Sequence, residues 1–363
     1  MRNEKLGIGL IGAGLIGTLH SGGLKTVRDR NALPVELVCV ADVEEDKAGV
    51  FKDIFGFGKA TADPEELIKD PGVDAVFVCT WTGEHASAVE AAVDEKKHVF
   101  CEKPLSFTAN EARRLRDQVV DAGLVNQVGL VLRQGPVWNV VRHMVRNDDN
   151  GFPMTCVFRD DQCFPIKGAH PSTWRVDPSK AGHGAVIEHS IHDLDLLEWI
   201  FGEVCSIRAT TATRFGNPEI EDLAKIDMDF ESGMTATLVS VWHDVLNRPS
   251  NRRMEVFHEK ALYLIESEYM GPIERMTGPG LMEVFETAEV NELFWKVRGI
   301  DDPDERELSM MFGGYEDYLF CRSIIENKPG GPDFNIAVRA HELVDACYLS
   351  AETKSPVSTA AGK

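Results

Sequence analysis

Three glycines near the N-terminus have a spacing that suits the binding of phosphates. Gly12, Gly14 and Gly17 form a G-x-G-x-x-G sequence directly after an apolar run. In this pattern the first glycine permits a tight turn, the second lets a pyrophosphate approach the backbone, and the third allows close helix–strand packing. The first helical residues, Leu15 and Ile16, would offer free N–H groups and the positive end of the helix dipole. We therefore predict a dinucleotide site; the alternative is a purely structural glycine turn.

An acid at the end of the second apolar run indicates which dinucleotide binds. Asp42 directly follows Cys39-Val40-Ala41. A carboxylate at this place accepts hydrogen bonds from the adenosine ribose hydroxyls and repels a 2′-phosphate. Glu44 and Glu45 follow, and no Arg or Lys stands directly beside them. The sequence therefore predicts NAD rather than NADP as the cofactor, with a solvated strand-end acid as the alternative interpretation.

The elements that must position these residues follow from the hydrophobic pattern. Short runs are apolar on both faces, as buried parallel strands are, and they cover Leu6–Ile11, Val35–Val40, Asp74–Thr80, Val99–Cys101 and Gln127–Leu132. Amphipathic segments alternate with these runs, and Thr108-x-x-Glu111 has the form of a capping box before one of them. This order predicts a doubly wound parallel sheet, that is, an NAD-binding Rossmann domain over residues 1–130.

The pattern changes after Gly151. Consecutive β-rich runs separated by short turns favour an antiparallel sheet, and they cover Val204–Thr213, Lys225–Phe230, Met234–Trp242, Arg253–His258 and Ala261–Glu266. Helical patterns flank them at residues 184–200, 315–326 and 335–350. We predict that residues 131–363 form an α/β domain, which gives the whole chain the α/β class.

Charge and cysteine usage exclude several classes of protein. The 363 residues carry a net charge of −21, and such a field repels nucleic acids and anionic membranes. No stretch approaches the ~20 apolar residues of a membrane span. The eight cysteines form no CxxC pair, which predicts buried thiols in a reducing, cytoplasmic compartment. The apolar run Leu6–Gly17 resembles a short secretory signal, but the glycine spacing accounts for it better.

A further motif, Glu102-Lys103-Pro104, stands at the end of a strand-like run. It occurs with VFVCTWTGEH, VGLVLRQGP and AGHGAVIEHSIHDLDLLEW. Together with the glycine pattern, these motifs resemble the glucose–fructose oxidoreductase / inositol dehydrogenase / rhizopine catabolism (Gfo/Idh/MocA) family over nearly the full chain. The resemblance implies a C-terminal α/β domain with a large, mainly antiparallel open sheet that serves substrate binding and oligomerisation. It also implies a homodimer or homotetramer and a sugar, inositol or polyol substrate.

The resemblance further implies a catalytic trio of Lys103, His192 and Glu188. Glu188 occupies the family's usual aspartate place, and Gly182-His183-Gly184 replaces a triple glycine. The residue types suit alcohol oxidation: the histidine titrates near working pH and takes the hydroxyl proton. The lysine stabilises a developing alkoxide. In an α-helix Glu188 and His192 share one face, so that the carboxylate either orients the imidazole or favours its charged form.

Other positions are predicted to contact NAD because they follow strands or match family motifs, namely Thr80, Trp81, His85, Glu102, Lys103, Trp174 and Arg175. Simple packing is an equal interpretation for Trp81 and an alternative for Trp174 with Arg175. Arg133 is expected to hold either substrate or a carboxylate between the domains. His189 and His192, with the acids around them, fit a metal site in spacing alone; the resemblance implies none, and we predict no metal.

These features leave three functions open. The leading one is an NAD-dependent dehydrogenase that acts on a secondary hydroxyl of a sugar, inositol or related polyol. The second is a glycosidase of the redox kind, in which NAD is reduced and then regenerated within one turnover. The third is a non-enzymatic regulator that senses a dinucleotide or metabolite, which would not need Lys103 and His192.

Overall fold

The computed structural model describes residues 5–147, 149–165, 172–214, 217–245, 250–267 and 269–359. The chain divides into two compact units. The first combines Met1–Val131 with Asp302–Val338, and the second combines Leu132–Asp301 with Arg339–Lys363. The sequence analysis placed residues 302–338 in the second domain, whereas in the structure this segment clusters with the first unit.

The first unit contains a parallel sheet whose strand order, over the described residues, is β3-β2-β1-β4-β5-β6. This is the Rossmann order, and the predicted doubly wound domain is confirmed. The strands are β1 Leu6–Ile11, β2 Val35–Ala41, β3 Lys59–Thr61, β4 Ala75–Val78, β5 His98–Cys101 and β6 Asn126–Val128. The predicted strand Gln127–Leu132 is wrong beyond Val128, because a 3₁₀ turn over Val131–Gln134 follows.

The α-helices of both units, in chain order, are α1 Leu15–Asp29, α2 Glu45–Phe55, α3 Pro64–Lys69, α4 His85–Asp94, α5 Ala109–Asp121, α6 Pro136–Asn147, α7 Pro178–Ala181, α8 Ile191–Phe201, α9 Thr287–Arg298, α10 Pro303–Ser309, α11 Gly314–Ile325 and α12 Phe334–Thr353. Local capping accounts for several starts. The Thr108 side chain accepts the Glu111 N–H at 3.3 Å, as the capping-box pattern predicts. No helix among the described residues is long and apolar enough to cross a membrane.

The second unit contains a larger sheet in the order β14-β13-β12-β11-β7-β10-β9-β8-β15, over the described residues. Its strands are β7 Pro153–Cys163, β8 Val204–Ala212, β9 Leu223–Phe230, β10 Thr235–His243, β11 Asn251–His258, β12 Leu262–Glu266, β13 Ile273–Gly278, β14 Leu281–Phe285 and β15 Val357–Ser358. Only the pair β7–β10 is parallel among these described strands. The predicted mainly antiparallel sheet is therefore confirmed.

Candidate active site

The glycine turn after β1 has the shape that a dinucleotide requires. Gly12 has a φ of 104°, and a Cβ there would lie 2.5 Å from the Cys79 carbonyl oxygen. A Cβ on Gly17 would lie 2.0 Å from the Gly12 oxygen, whereas Gly14 faces open space. Gly14 is the N-cap residue of α1 and has no side chain to cap it, which leaves the first N–H groups of the helix available to an anion. These residues fit the pyrophosphate of NAD.

Asp42, at the end of β2, is hydrogen-bonded to the glycine turn. Its Oδ2 accepts the Ala13 N–H at 2.8 Å, and its Oδ1 accepts the Glu44 N–H at 2.9 Å. The carboxylate is half-buried at the end of β2, with lone pairs left for ribose hydroxyls. The sequence analysis found no Arg or Lys directly beside Glu44 and Glu45, and the structure corrects this point. Lys47 lies one helical turn after Glu44, and its ammonium group forms an ion pair with the Glu44 carboxylate.

The loops after β4 and β5 are joined through His85. Its buried ring contacts the Pro104 oxygen through Nδ1 at 2.7 Å and the Thr80 oxygen through Nε2 at 3.2 Å. Trp81 lies half-buried in the first of these loops, and Lys103 lies half-buried in the second. Both loops follow the carboxyl ends of parallel strands, where open α/β sheets bind ligands.

Glu102 is buried at the end of β5 and turns back on its own loop. Its Oε2 accepts the Lys103 backbone N–H at 3.1 Å, and its Oε1 lies 3.0 Å from His20 Nε2. A Cβ on Gly129 would lie 2.4 Å from that Oε1. The acid is thereby confined between α1 and the loop after β6.

In the second unit, Glu188 is buried and pairs with Arg175. The Arg175 Nε donates to Glu188 Oε2 at 3.2 Å, and the guanidinium lies 4.6 Å from the Trp174 ring centre. His192 is buried in the first turn of α8. The predicted α-helical geometry between Glu188 and His192 is wrong, because a π-helical turn covers Val186–Ser190. Its wider turn changes the angle between the two side chains.

A set of residues that the sequence analysis missed holds this π-helical turn. Glu221 accepts the N–H groups of Gly184 at 2.8 Å and Val186 at 2.9 Å. The Tyr348 hydroxyl donates to Glu221 at 2.9 Å and accepts the Ile187 N–H at 3.3 Å. Burial raises the pKa of Glu221, while these hydrogen bonds oppose the rise. Gly184 is needed because a Cβ there would lie 1.9 Å from the Glu221 oxygen.

The replacement of the family's middle glycine by His183 has a packing role in this set. The His183 ring lies 4.6 Å from the Tyr348 ring, centre to centre. The imidazole thus packs against the tyrosine that supports the π-helical turn. In sequence, Glu221 lies in an unremarkable loop and Tyr348 lies in a helix, so that neither gives a motif that would have marked it.

The polar residues around His192 have partners. His189 Nε2 lies 2.8 Å from Asp160, and Asp193 accepts from Arg252 at 2.7 Å. Burial raises the pKa of Asp193 to about 7 although Arg252 opposes it.

Two further side chains discussed from the sequence, Arg133 and Asp195, pair with each other. Arg133 binds both oxygens of Asp195 at 2.7 Å. Both residues lie in the second unit, so this is not the carboxylate between domains that the sequence analysis considered.

The Rossmann order, the uncapped glycine turn and the acid at the end of β2 define a dinucleotide-binding protein. Comparison with known proteins agrees. Residues 6–130 match the family model described as oxidoreductase family, NAD-binding Rossmann fold, and residues 138–263 match the GFO/IDH/MocA C-terminal domain. The chain belongs to the GFO/IDH/MocA oxidoreductase family, and the predicted family, enzyme class and cofactor are confirmed.

Individual relatives show the breadth of the match. Myo-inositol 2-dehydrogenase of Thermotoga maritima is 31% identical over 258 residues, which is 70% of this chain and 73% of the relative. Inositol 2-dehydrogenase of Klebsiella pneumoniae is 25% identical over an alignment of 363 residues, which covers 97% of this chain and 96% of the relative. The structure of levoglucosan dehydrogenase with NADH and levoglucosan has a TM-score of 0.84 at 21% identity, over 98% of this chain and 100% of that chain. This last likeness concerns the fold.

Proposed function

We propose that this enzyme transfers hydride between NAD and a secondary hydroxyl of a sugar, inositol or related polyol. The observation that carries the proposal is the match to relatives named inositol 2-dehydrogenase. The presence of Lys103 and His192 at the family's motif positions supports it. NAD, when bound, supplies the hydride chemistry, and the chain supplies binding, orientation and proton transfer.

In this proposal His192 takes the hydroxyl proton and Lys103 stabilises the charge that develops on the substrate oxygen. The role proposed for Glu188 shifts toward positioning. Because its carboxylate binds Arg175, whose guanidinium lies over Trp174, the acid holds this pair in place. Trp174 and Arg175 then belong to the wall of the cofactor and substrate pocket.

The proposed NAD contacts in the first unit are the glycine turn with Leu15 and Ile16, together with Asp42, Thr80, Trp81, His85, Glu102 and Lys103. We further propose a cytoplasmic homodimer or homotetramer. The eight cysteines are free thiols, as in a reducing compartment. On β7 the side chains of Met154 and Val157 are 47% and 45% exposed, and a second copy would cover such apolar surface.

A substrate panel tests the reaction. Inositols, sugars and polyols are incubated with NAD, and NADH formation is followed by absorbance for the wild type and for His192→Ala, Lys103→Ala and His143→Ala. We expect net NADH with at least one compound and a loss in kcat of about 10²- to 10⁴-fold for the first two variants. His143→Ala is the matched control, because His143 is exposed on α6.

Other outcomes separate the rival functions. Cleavage of a glycoside without net NADH would identify the redox glycosidase. If NADH binds but His192→Ala and Lys103→Ala keep wild-type rates, the assignment of these residues fails. If no compound is turned over while metabolites change NADH binding, the regulator replaces the dehydrogenase.

A further inference from the structure

A buried histidine with a carboxylate on each side lies behind the Glu102-Lys103 loop. His20, on α1, is 2% exposed. Its Nδ1 lies 2.6 Å from Asp317 on α11, and its Nε2 lies 3.0 Å from Glu102. The Phe100 ring closes one side, with its centre 4.9 Å from that of the imidazole. The close approach of the two helices depends on Gly23, where a Cβ would lie 2.7 Å from the Gly314 Cα.

This geometry favours a protonated His20. A carboxylate oxygen accepts hydrogen bonds, and a neutral imidazole has only one N–H to donate. Both ring nitrogens face an acid, so that when both acids are ionised both nitrogens donate and the ring is an imidazolium. Burial alone would lower the pKa of His20, but the charge of Asp317 and the two hydrogen bonds to Asp317 and Glu102 raise it well above its usual value.

The same pairing keeps Glu102 ionised. Burial would raise the pKa of Glu102, but the hydrogen bond and charge of His20, followed by the charge of Lys103, hold it below its usual value. The acids on α11 are different: burial raises the pKa of Asp317 to about 6 and that of Glu316 well above its ordinary range. The ionisable groups that face His20 or its carboxylate partners are Cys79, Glu102, Lys103, Glu316 and Asp317.

A metal ion is the competing explanation for such a cluster. Ligand atoms of His20, Glu102 and Glu316 all lie within 4.8 Å of one another, and imidazole with carboxylates is a donor set that Zn²⁺ accepts. A histidine ligand, however, must offer a lone pair to the metal. Both His20 nitrogens already lie at hydrogen-bond distance from acid oxygens, at 2.6 and 3.0 Å. The arrangement therefore favours a proton over a metal ion.

We propose that His20 is a positioning residue, which keeps the Glu102 carboxylate ionised and oriented toward the cofactor. Glu102 stands at the carboxyl end of β5, its side chain is 11% exposed, and it also binds the Lys103 backbone N–H. An ionised carboxylate there accepts hydrogen bonds from ribose hydroxyls, whereas a protonated one loses acceptor capacity. This inference rests on the proposed contact between Glu102 and NAD, and Asp317 enters it as the counter-ion that holds the imidazolium.

The test measures NADH binding by fluorescence as a function of pH, between about 6.5 and 9, which lies above the pKa of Asp317. The wild type is compared with His20→Gln, Glu102→Gln and His98→Gln. We expect the wild-type Kd to stay nearly constant. In His20→Gln the imidazolium no longer opposes the effect of burial, so the pKa of Glu102 rises from its lowered value. Its Kd should then be about 10-fold weaker at the acid end and recover at the alkaline end.

The remaining variants make the result decisive. Glu102→Gln should bind NADH weakly at every pH, and it keeps the proposal testable even if His20→Gln does not fold. His98→Gln carries the same substitution at the opposite end of β5 and should match the wild type. Three results would each overturn the proposal: a weakening of His20→Gln that is equal at all pH values, wild-type binding by Glu102→Gln, or stoichiometric metal in the purified wild type. Because no substrate is needed, failure of sugar oxidation leaves this test unaffected.

Discussion

Tyr348→Phe tests whether the support of the π-helical turn matters for catalysis. The change removes one oxygen and leaves the ring that packs against His183. That oxygen takes part in two hydrogen bonds, one donated to Glu221 at 2.9 Å and one accepted from the Ile187 N–H at 3.3 Å. Burial and the charge of Glu221 raise the pKa of Tyr348 well above its usual value, so the hydroxyl stays protonated and donating at any working pH.

The expected magnitude follows from these two bonds. A hydrogen bond to a charged group contributes ~1.5–3 kcal/mol and one between neutral groups contributes ~1 kcal/mol. We therefore expect the free energy of unfolding to fall by ~2.5–4 kcal/mol. The turn would also move, because Glu221 loses one of its anchors while still binding Gly184 and Val186. A shift of ~1 Å in a catalytic group costs up to ~10²-fold in rate, so kcat should fall about 10- to 100-fold.

Steady-state kinetics on the substrate from the panel, urea unfolding and NADH titration together provide the assay. Tyr263→Phe is the matched control: Tyr263 is fully buried on β12 in the same unit, and its hydroxyl accepts from Asn150 at 2.6 Å. It should lower stability and leave kcat near the wild-type value. The reasoning is refuted if both variants lose the same fraction of kcat, or if Tyr348→Phe is as active as the wild type.

Three further outcomes are expected. The kcat/KM with NAD should exceed that with NADP by at least about tenfold, ~1.4 kcal/mol, because Asp42 is hydrogen-bonded to the glycine turn and repels a 2′-phosphate. Asp42→Ala should reduce this ratio. A higher kcat/KM with NADP would contradict the assignment of NAD as the cofactor. Light scattering should show a particle larger than the 40.2 kDa monomer, and a purely monomeric sample would refute assembly through the exposed sheet residues. Glu188→Asp should lower kcat more than Glu188→Gln does. The amide oxygen of Gln still reaches Arg175, which lies 3.2 Å from the Glu188 oxygen, whereas the shorter Asp side chain does not. A larger loss of kcat in Glu188→Gln than in Glu188→Asp would rule out this positioning role.

The sequence predicts the Rossmann sheet well because its signals are local. The run Leu6–Ile11 and the strand β1 have the same bounds, since a fully buried parallel strand is apolar throughout. The sequence analysis missed β7 for the same reason. This strand contains Arg159, Asp160 and Asp161, and its sequence therefore resembles a polar loop. In the structure Asp160 is fully buried and lies 2.8 Å from His189. Pairing between residues far apart in sequence satisfies the acid, and a local pattern does not record it.

The candidate site shows the same division. The glycine turn and the Glu102-Lys103 motif are contiguous in sequence, and their local geometry follows from their residue types. The partners that hold them are remote: Asp317 lies 297 positions from His20, and Tyr348 lies 161 positions from Ile187. The π-helical turn is also set by such contacts, since Glu221 caps it from another loop. Residue spacing alone therefore placed Glu188 in a regular α-helix with His192 as its partner. In the structure Glu188 lies in the π-helical turn and pairs with Arg175.

Residues 302–338 belong to the first unit although they follow most of the second unit in sequence, and this predicts how a truncated chain will behave. The core of that unit includes Phe334, Ala337 and Val338, and deletion of a buried Phe side chain alone costs ~3–5 kcal/mol. A fragment that ends at residue 131 also lacks Asp317, the closer of the two carboxylates on His20. We expect this fragment to lose cooperative thermal unfolding and NADH binding. The same fragment joined by a flexible linker to residues 302–338 should recover both, as followed by circular dichroism and NADH fluorescence. Cooperative melting and full-strength NADH binding by the short fragment would show that the returning segment is dispensable to the Rossmann fold.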